Sequence, residues 1–568
     1  MLRRFLLAPT LAFALGVGLP QGISAQDGVA GPYLAARLAG FSNDYLEAAE
    51  YYGRLIARDP SDPGIVENAM VVFAVIGDFD SAAEVAALGN ERPNPRQLSE
   101  LILLIDDLRT ERYAQAMERL GDGSVAGPLL EGLLQGWAEV GLGRMGNALA
   151  AFDALAQREA FAEFAYIHRA FALAQVGDFE NAEAILSGEQ YGPPRLGPRG
   201  LMARAQMLVQ LDRRDQALAL LDQALVQRGT AELATLRAEI ASGEALAYTT
   251  IATPREGMAE AFYTLAAVVN GEAAESYTLI HSRAAMALDP RHVDATILTA
   301  EVFDSIGQYR LANQTLDTVP EDHPAFVEAE VARAEVLFAD GRETESIDVL
   351  KALSAQHPER DLVWSALGDA NRRTSNFEDA HAAYTRAIDL KGTPEPRDWF
   401  IHYTRGITNE RTKRWDEAER DFETALRLRP DQPLVLNYYG YSLVERRERL
   451  DDALEMIKKA VEGRPEDGYI TDSLGWVYYR LDRFEDAVAP MERAVALEPL
   501  DAVINDHLGD VYWKVGRKRE AEFQWRRALS FIPEINDTEA DPNRIRRKLE
   551  VGLDVVLADE RAKGGETQ

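Results

Sequence analysis

The sequence predicts an all-α solenoid of tandem helix pairs, and three observations carry that prediction. First, a small residue returns on a steady beat. Ala48, Ala82, Ala116, Ala148, Ala182, Ala217, Thr278, Ala312, Ser346, Ala380, Ala418, Ala453, Ala487 and Ala521 follow one another at steps of about 34 residues, except for one much longer step between Ala217 and Thr278. Second, a turn signal stands just before several of these positions: Gly77-Asp78-Phe79, Gly177-Asp178-Phe179, Gly307-Gln308-Tyr309 and Asn376-Phe377. Third, 46% of the 568 residues are hydrophobic and 27% charged, enough apolar material for a large folded body. A unit of this size cannot bury its own apolar face, so the units must stack on their neighbours. The beat counts about 14 helix pairs.

The chain begins Met1-Leu2-Arg3-Arg4, continues as an apolar run from Phe5 to Leu19, and reaches Pro20-Gln21-Gly22-Ile23-Ser24-Ala25. That order is the pattern of a secretory signal peptide over 1–25, with cleavage expected after Ala25. The run is shorter than the ~20 residues a membrane-spanning helix needs. Export to a bacterial periplasm is the expected fate, since a large exported chain without a cysteine suits that compartment better than a disulfide-rich one. Residues 26–241 are then expected to form a front array of less regular pairs. An irregular break follows at 242–258, where Tyr248-Thr249-Thr250-Ile251-Ala252-Thr253-Pro254 is β-branched and turn-like. Residues 259–533 form a regular rear array. In 534–568, Ile545, Leu549, Leu553 and Val556 recur at helical spacing and predict one capping helix before the tail.

The sharpest unit reads Asp472-Ser473-Leu474-Gly475-Trp476-Val477-Tyr478-Tyr479, then Phe484, Ala487, Ala494 and Pro499. It returns one beat later as Asp506-His507-Leu508-Gly509-Asp510-Val511-Tyr512-Trp513, then Ala521, Ala528 and Pro533. Leu-Gly and an aromatic on a first helix, two alanines on a second, and a closing proline make this chain resemble the tetratricopeptide-repeat family. The resemblance implies a right-handed α-α superhelix whose first helices line a concave face. With Asn437-Tyr438-Tyr439-Gly440-Tyr441-Ser442 and Gln524-Trp525-Arg526-Arg527-Ala528-Leu529, the last third also resembles exported repeat proteins of Gram-negative bacteria. Some of those are envelope lipoproteins that act as adapters for carboxyl-terminal processing proteases. This chain has no cysteine to carry a lipid.

Chemistry-bearing motifs are few. The formal charge of −32 argues against a nucleic-acid partner, because phosphate binding needs clustered Lys and Arg. The local exception is Lys514 to Lys548, whose ten bases read as a solvated helix face. Gly141-Leu142-Gly143-Arg144-Met145-Gly146 matches a dinucleotide fingerprint, but a helix precedes it instead of a strand, and a tight turn explains the glycines. The eight histidines are scattered over different repeats; His507, flanked by Asp506 and Asp510, is expected to be packed or hydrogen-bonded and not a metal ligand. With the repeats taking up nearly the whole mature chain, no cofactor and no separate catalytic domain are expected.

Carried onto the last three units, the family's inward positions are Asn437, Tyr441 and Glu445; Asp472, Trp476, Tyr479 and Arg480; and Asp506, Asp510, Trp513 and Lys514. Amide and acid groups there suit an extended backbone or basic side chains, and the aromatics suit rigid apolar contact. Packing within the array is the competing role for the same residues. The function expected is a scaffold or adapter for envelope proteins or peptides, working for a protease or an assembly machine. An envelope polysaccharide or peptidoglycan enzyme with a site in the groove, or a self-associating spacer, are the other readings.

Overall fold

The computed structural model describes residues 30–58, 62–90, 97–121, 125–532 and 540–564, so the expected signal segment and its cleavage at Ala25 lie outside the described residues. Those residues form 31 α-helices, from α1 (Ala30–Phe41) to α31 (Leu553–Gly564), two short 3-10 turns and no strand. All fourteen beat residues fall on helices and are 0 or 1% exposed. Their small size lets two helices cross closely, and a larger side chain one turn further on fills the space beside them, as at Ala148 and Phe152 or Ala418 and Phe422.

The partner helix answers with a glycine. Gly368 faces Tyr384, Gly406 faces Phe422, Gly475 faces Met491 and Gly509 faces Trp525, with the same offset along the chain in every pair. A methyl group on Gly406 would lie 2.6 Å from the Phe422 ring, and one on Gly368 2.5 Å from Tyr384. Glycine is therefore required there by contact, not by backbone conformation.

Two compact units make up the chain, 1–342 and 343–568. The segment 242–258, expected to separate a front from a rear array, instead lies inside the first unit. There an additional helix, α13 (Ala231–Ser242), accounts for the one long step in the beat. The strap after it leads into α14 (Pro254–Val269), which turns back onto α7 (Pro128–Gly141) and α9 (Ala162–Gln175), while α15 (Glu275–Leu288) packs on α3 (Pro63–Ile76). Gly257 gives the Trp137 ring room to lie against α14. Arg283 of α15 donates to the Val75 carbonyl at 3.2 Å. Gln206, buried on α11 (Pro198–Gln210), pins the strap: its carbonyl accepts from the Thr249 and Thr250 amides and the Thr250 hydroxyl, at 3.0, 3.1 and 2.8 Å. An irregular backbone thus has its polar groups satisfied by one side chain. Sequence spacing could not foresee the return, because it depends on contacts between helices several repeats apart.

The glycines of the fingerprint-like run also have local reasons. Gly141 ends α7 against the Tyr113 ring, and Gly143 turns at φ 73°. The second unit runs from α19 (Glu343–Gln356) to α31. Its expected single capping helix is two, α30 (Pro542–Val551) and α31, because Gly552 breaks the path at φ 83° and ψ 156° where the Trp513 ring leaves no room for a Cβ.

Gly406→Ala should lower the unfolding free energy by about 1–2 kcal/mol, because overpacking of about 1–3 kcal/mol outweighs a helix-propensity gain near 1. Gly146→Ala, which meets nothing within 4 Å, should raise it by up to about 1 kcal/mol. Urea unfolding with unchanged m-values checks both signs.

Candidate partner-binding face

The inner helices of the last three pairs are α24 (Pro433–Arg446), α26 (Gly468–Arg480) and α28 (Ala502–Lys514). Asp467 and Asp501 start the second and third by accepting from the amides of Ile470 and Ile504. Side chains at one-turn steps on each helix meet those one repeat away. Trp476 donates from Nε1 to Glu445 at 2.9 Å, and Arg480 lies 3.7 Å from the same carboxylate. His507 Nδ1 is 2.9 Å from Asp472, and its ring stacks on Trp476 with centroids 4.0 Å apart. Tyr479 stacks on the Trp476 ring at 4.7 Å and 8°. A continuous ladder of acid, base and aromatic groups therefore crosses three helices. Asn437 and Tyr441 are half-buried on α24, the first with a side-chain oxygen that has no hydrogen-bond partner.

At the last repeat the same face is filled by the chain's own end. Lys548 of α30 is fully buried and donates to Asp506 at 2.8 Å and to Asp510 at 2.6 Å. Arg544 lies 3.6 Å from Asp510, and Trp525 of α29 (Lys518–Phe531) donates to Asp510 at 2.9 Å. On α31, Asp554 accepts from Trp513 at 2.9 Å and from Lys514 at 2.7 Å. So four of the eleven sequence-predicted residues, Asp506, Asp510, Trp513 and Lys514, are engaged by α30 and α31. Asn437, Tyr441, Glu445, Asp472, Trp476, Tyr479 and Arg480 stand beyond that segment. The basic run to Lys548, expected to be a solvated face, is corrected at its end: Lys548 is a buried counter-ion, drawn in because two buried carboxylates need one.

The charges respond to this enclosure. Burial, then the neighbouring Asp510, raises the Asp506 carboxyl above its ordinary range, against the pull of Lys548. Burial alone would depress His507, but Asp472, followed by Asp506 and Asp510, carries it above its ordinary 6.5. Burial raises the Tyr479 hydroxyl. Sequence reasoning missed Lys548 and Arg544 as occupants and Asp472 as the partner of His507. Repeat arithmetic holds the signal for the last, since residues about one repeat apart become neighbours.

Tandem helix pairs with a shared inner face define a stacked-repeat interaction scaffold. The repeat is similar to the tetratricopeptide repeat: that family's profile matches residues 33–93, 365–433, 403–468 and 440–502, and over those residues the chain carries tetratricopeptide repeats. It is similar to a TPR repeat-containing protein of Pseudomonas aeruginosa, 30% identical over 155 residues, which are 27% of this chain and 26% of that protein. It is also similar to the protein O-mannosyl-transferase Tmtc2 of Drosophila melanogaster, 32% identical over 90 residues, or 16% of this chain and 10% of that one. The matched stretches thus span about a quarter and a tenth of these relatives' lengths. Among solved structures it is similar to the APC/C hetero-tetramer Cut9-Hcn1, at 14% identity over 92% of this chain and 96% of that one, TM-score 0.38. A tetratricopeptide repeat protein from Parabacteroides merdae matches at 14% identity over 45% and 97%, TM-score 0.37. Among the described residues no helix is long and apolar enough to cross a membrane.

Two measurements probe the ladder. Lys548→Met takes the buried cation from two carboxylates and should cost about 3–5 kcal/mol at pH 7, with a smaller loss at pH 4.5, since the raised Asp506 carboxyl takes up its proton more readily as pH falls. An equal loss at both pH values would contradict the buried pairing. His507 binds its proton more tightly when folded, so its stabilisation is complete below its ordinary 6.5 and is lost as pH rises through the folded value. Thermal midpoints of the wild type should accordingly fall between pH 6 and 9 by more than those of His507→Gln.

Proposed function

We propose that this protein is a non-catalytic scaffold or adapter of the bacterial periplasm, and that the face of α24, α26 and α28 takes a basic, amphipathic segment of a partner protein. One observation carries this reading: the face already holds such a segment of its own chain. In α30, Arg544 and Lys548 lie one turn apart and reach Asp510 and Asp506, while Ile545 is buried against the last pair. That is the helix-in-groove mode, with acids for the basic side chains and aromatics for the apolar ones. Beyond α30 the ladder continues through the buried Trp476, with Arg480 beside it, to the exposed Glu445, whose carboxylate is open to a basic side chain of another chain. Asp506 and Asp510 are held by Lys548, an arrangement suited to holding a helix and not to moving protons. The signal-like segment 1–25 supports export, and the likeness to envelope repeat proteins supports a partner there, such as a protease or an assembly machine.

The test uses a photocrosslinking residue at position 441 in living cells, with mass spectrometry of what is captured. Envelope proteins are expected; cytoplasmic proteins alone would overturn the export reading. Replacing Glu445 and Arg480 together by Ala should lower capture at least tenfold while stability changes by no more than about 1–2 kcal/mol, since Glu445 is exposed, Arg480 is half-buried and the two lie 3.7 Å apart. Undiminished capture would remove this face from the account.

A further inference from the structure

The return of α14 in the first unit encloses a cavity of about 300 Å³ that the scaffold reading does not use. It lies between α9, α14, the start of α11 and α16 (Val293–Ser305). Phe164, Ile167, Phe171, Leu196 and Tyr263 make its walls mostly apolar, and Arg195, Ala267 and Val268, all exposed, stand at its mouth. Among its lining residues, His168, Arg199, Glu260 and Asp294 carry polar side chains with sharply different states.

Two of them are already satisfied. Glu260 lies 2.8 Å from Arg199 and 3.1 Å from His292, and although burial alone would raise it, Arg199 holds it down to about 2. Arg199 also donates to the Thr250 carbonyl at 3.2 Å and has Asp289 at 3.9 Å. Its charge is met on several sides.

The other two are not. His168 is 1% exposed; its Nδ1 accepts from Trp137 Nε1 at 2.9 Å, so the ring proton sits on Nε2. Burial holds its pKa down to about 4, which keeps the ring neutral, and Nε2–H has no acceptor among the described residues. Asp294, half-buried in the first turn of α16, makes no hydrogen bond and no ion pair within 4 Å among the described residues; burial raises its carboxyl above its ordinary range, and the charges of His292 and Arg199 pull it only partly back. A donor and a carboxylate without a direct counter-ion, both lining one largely apolar cavity, are groups that a ligand entering it can satisfy.

We propose that this pocket binds the amino-terminal residue of a peptide whose first side chain is apolar. Its ammonium group pairs with Asp294 and lies against the Tyr263 ring, its first carbonyl accepts from His168 Nε2–H, and its side chain fills the space among Phe164, Ile167 and Phe171. The rest of the peptide leaves past Arg195. Ammonium, carbonyl acceptor and apolar body together are what a peptide amino terminus combines; a simple amine lacks the acceptor, and a carboxylate has the wrong charge for Asp294.

Isothermal titration calorimetry of the full chain with the amide of the tripeptide Phe-Ala-Ala tests this. Saturable binding is expected, weakened at least tenfold when the peptide is N-acetylated and at least tenfold in Asp294→Asn. Ala267→Trp, placed at the exposed mouth, should abolish binding with an unchanged thermal midpoint. Equal binding of the acetylated peptide, or wild-type affinity in Asp294→Asn, would overturn the proposal. Binding of free phenylalaninamide with exclusion of the tripeptide would overturn its peptide part. These outcomes are independent of capture at position 441, so either site can fail without the other.

Discussion

Everything in this molecule depends on two helices being able to touch backbone to backbone once per repeat. At Gly136, Gly368, Gly406, Gly475 and Gly509 a glycine on the first helix and a small residue on the second remove the side chains that would hold them apart, and a large side chain one turn further on locks the crossing. At Gly368 and Tyr384, Gly406 and Phe422, Gly475 and Met491, and Gly509 and Trp525 the offset along the chain is the same. Since the crossing repeats, the side chains of successive first helices come to the same height. That is why Glu445 finds Trp476 and Asp472 finds His507 across repeat boundaries. A local steric constraint thus produces a long-range polar ladder.

The ladder has to end somewhere, and its end is instructive. A last repeat has no successor to cover Asp506, Asp510 and Trp525, so without a cover two acids would stand against an apolar face. The helix α30 supplies the cation and the apolar side chain together, with Lys548 on the carboxylates and Ile545 in the core. Burying a lysine is tolerable only because it is paired so closely. The same requirement makes Asp510 a poor probe of partner binding, as its removal strips Lys548 and Trp525 of an acceptor at once. Glu445 and Arg480, which lie outside the cover, separate binding from folding.

The beat of small residues was legible in the sequence because it is a local consequence of packing: each of the fourteen positions is shielded from solvent. The reach of each contact limited the rest. Nothing within a window of one repeat signals that α14 turns back onto α7, since Gly257 and Trp137 stand several repeats apart and neither is unusual where it stands. Lys548 looked like one base among ten, and only the pair of carboxylates far upstream on α28 gives it a different fate. Gly552 broke an otherwise continuous helical pattern because Trp513 needed the space. Of the candidate face, residue identities were readable, but the occupancy of its last third was not.

The glycine crossing is the claim on which the rest stands, and a double-mutant cycle at Gly136 and Phe152 in the first unit tests it most directly. A Cβ at Gly136 would collide with the Phe152 ring, which is fully buried. Gly136→Ala and Phe152→Leu should each destabilise the chain, and the double variant should be more stable than the sum of the two losses predicts by about 1 kcal/mol or more, the coupling of residues in contact. Strict additivity in urea unfolding would show that the glycine is not there to admit the ring, and would contradict the account.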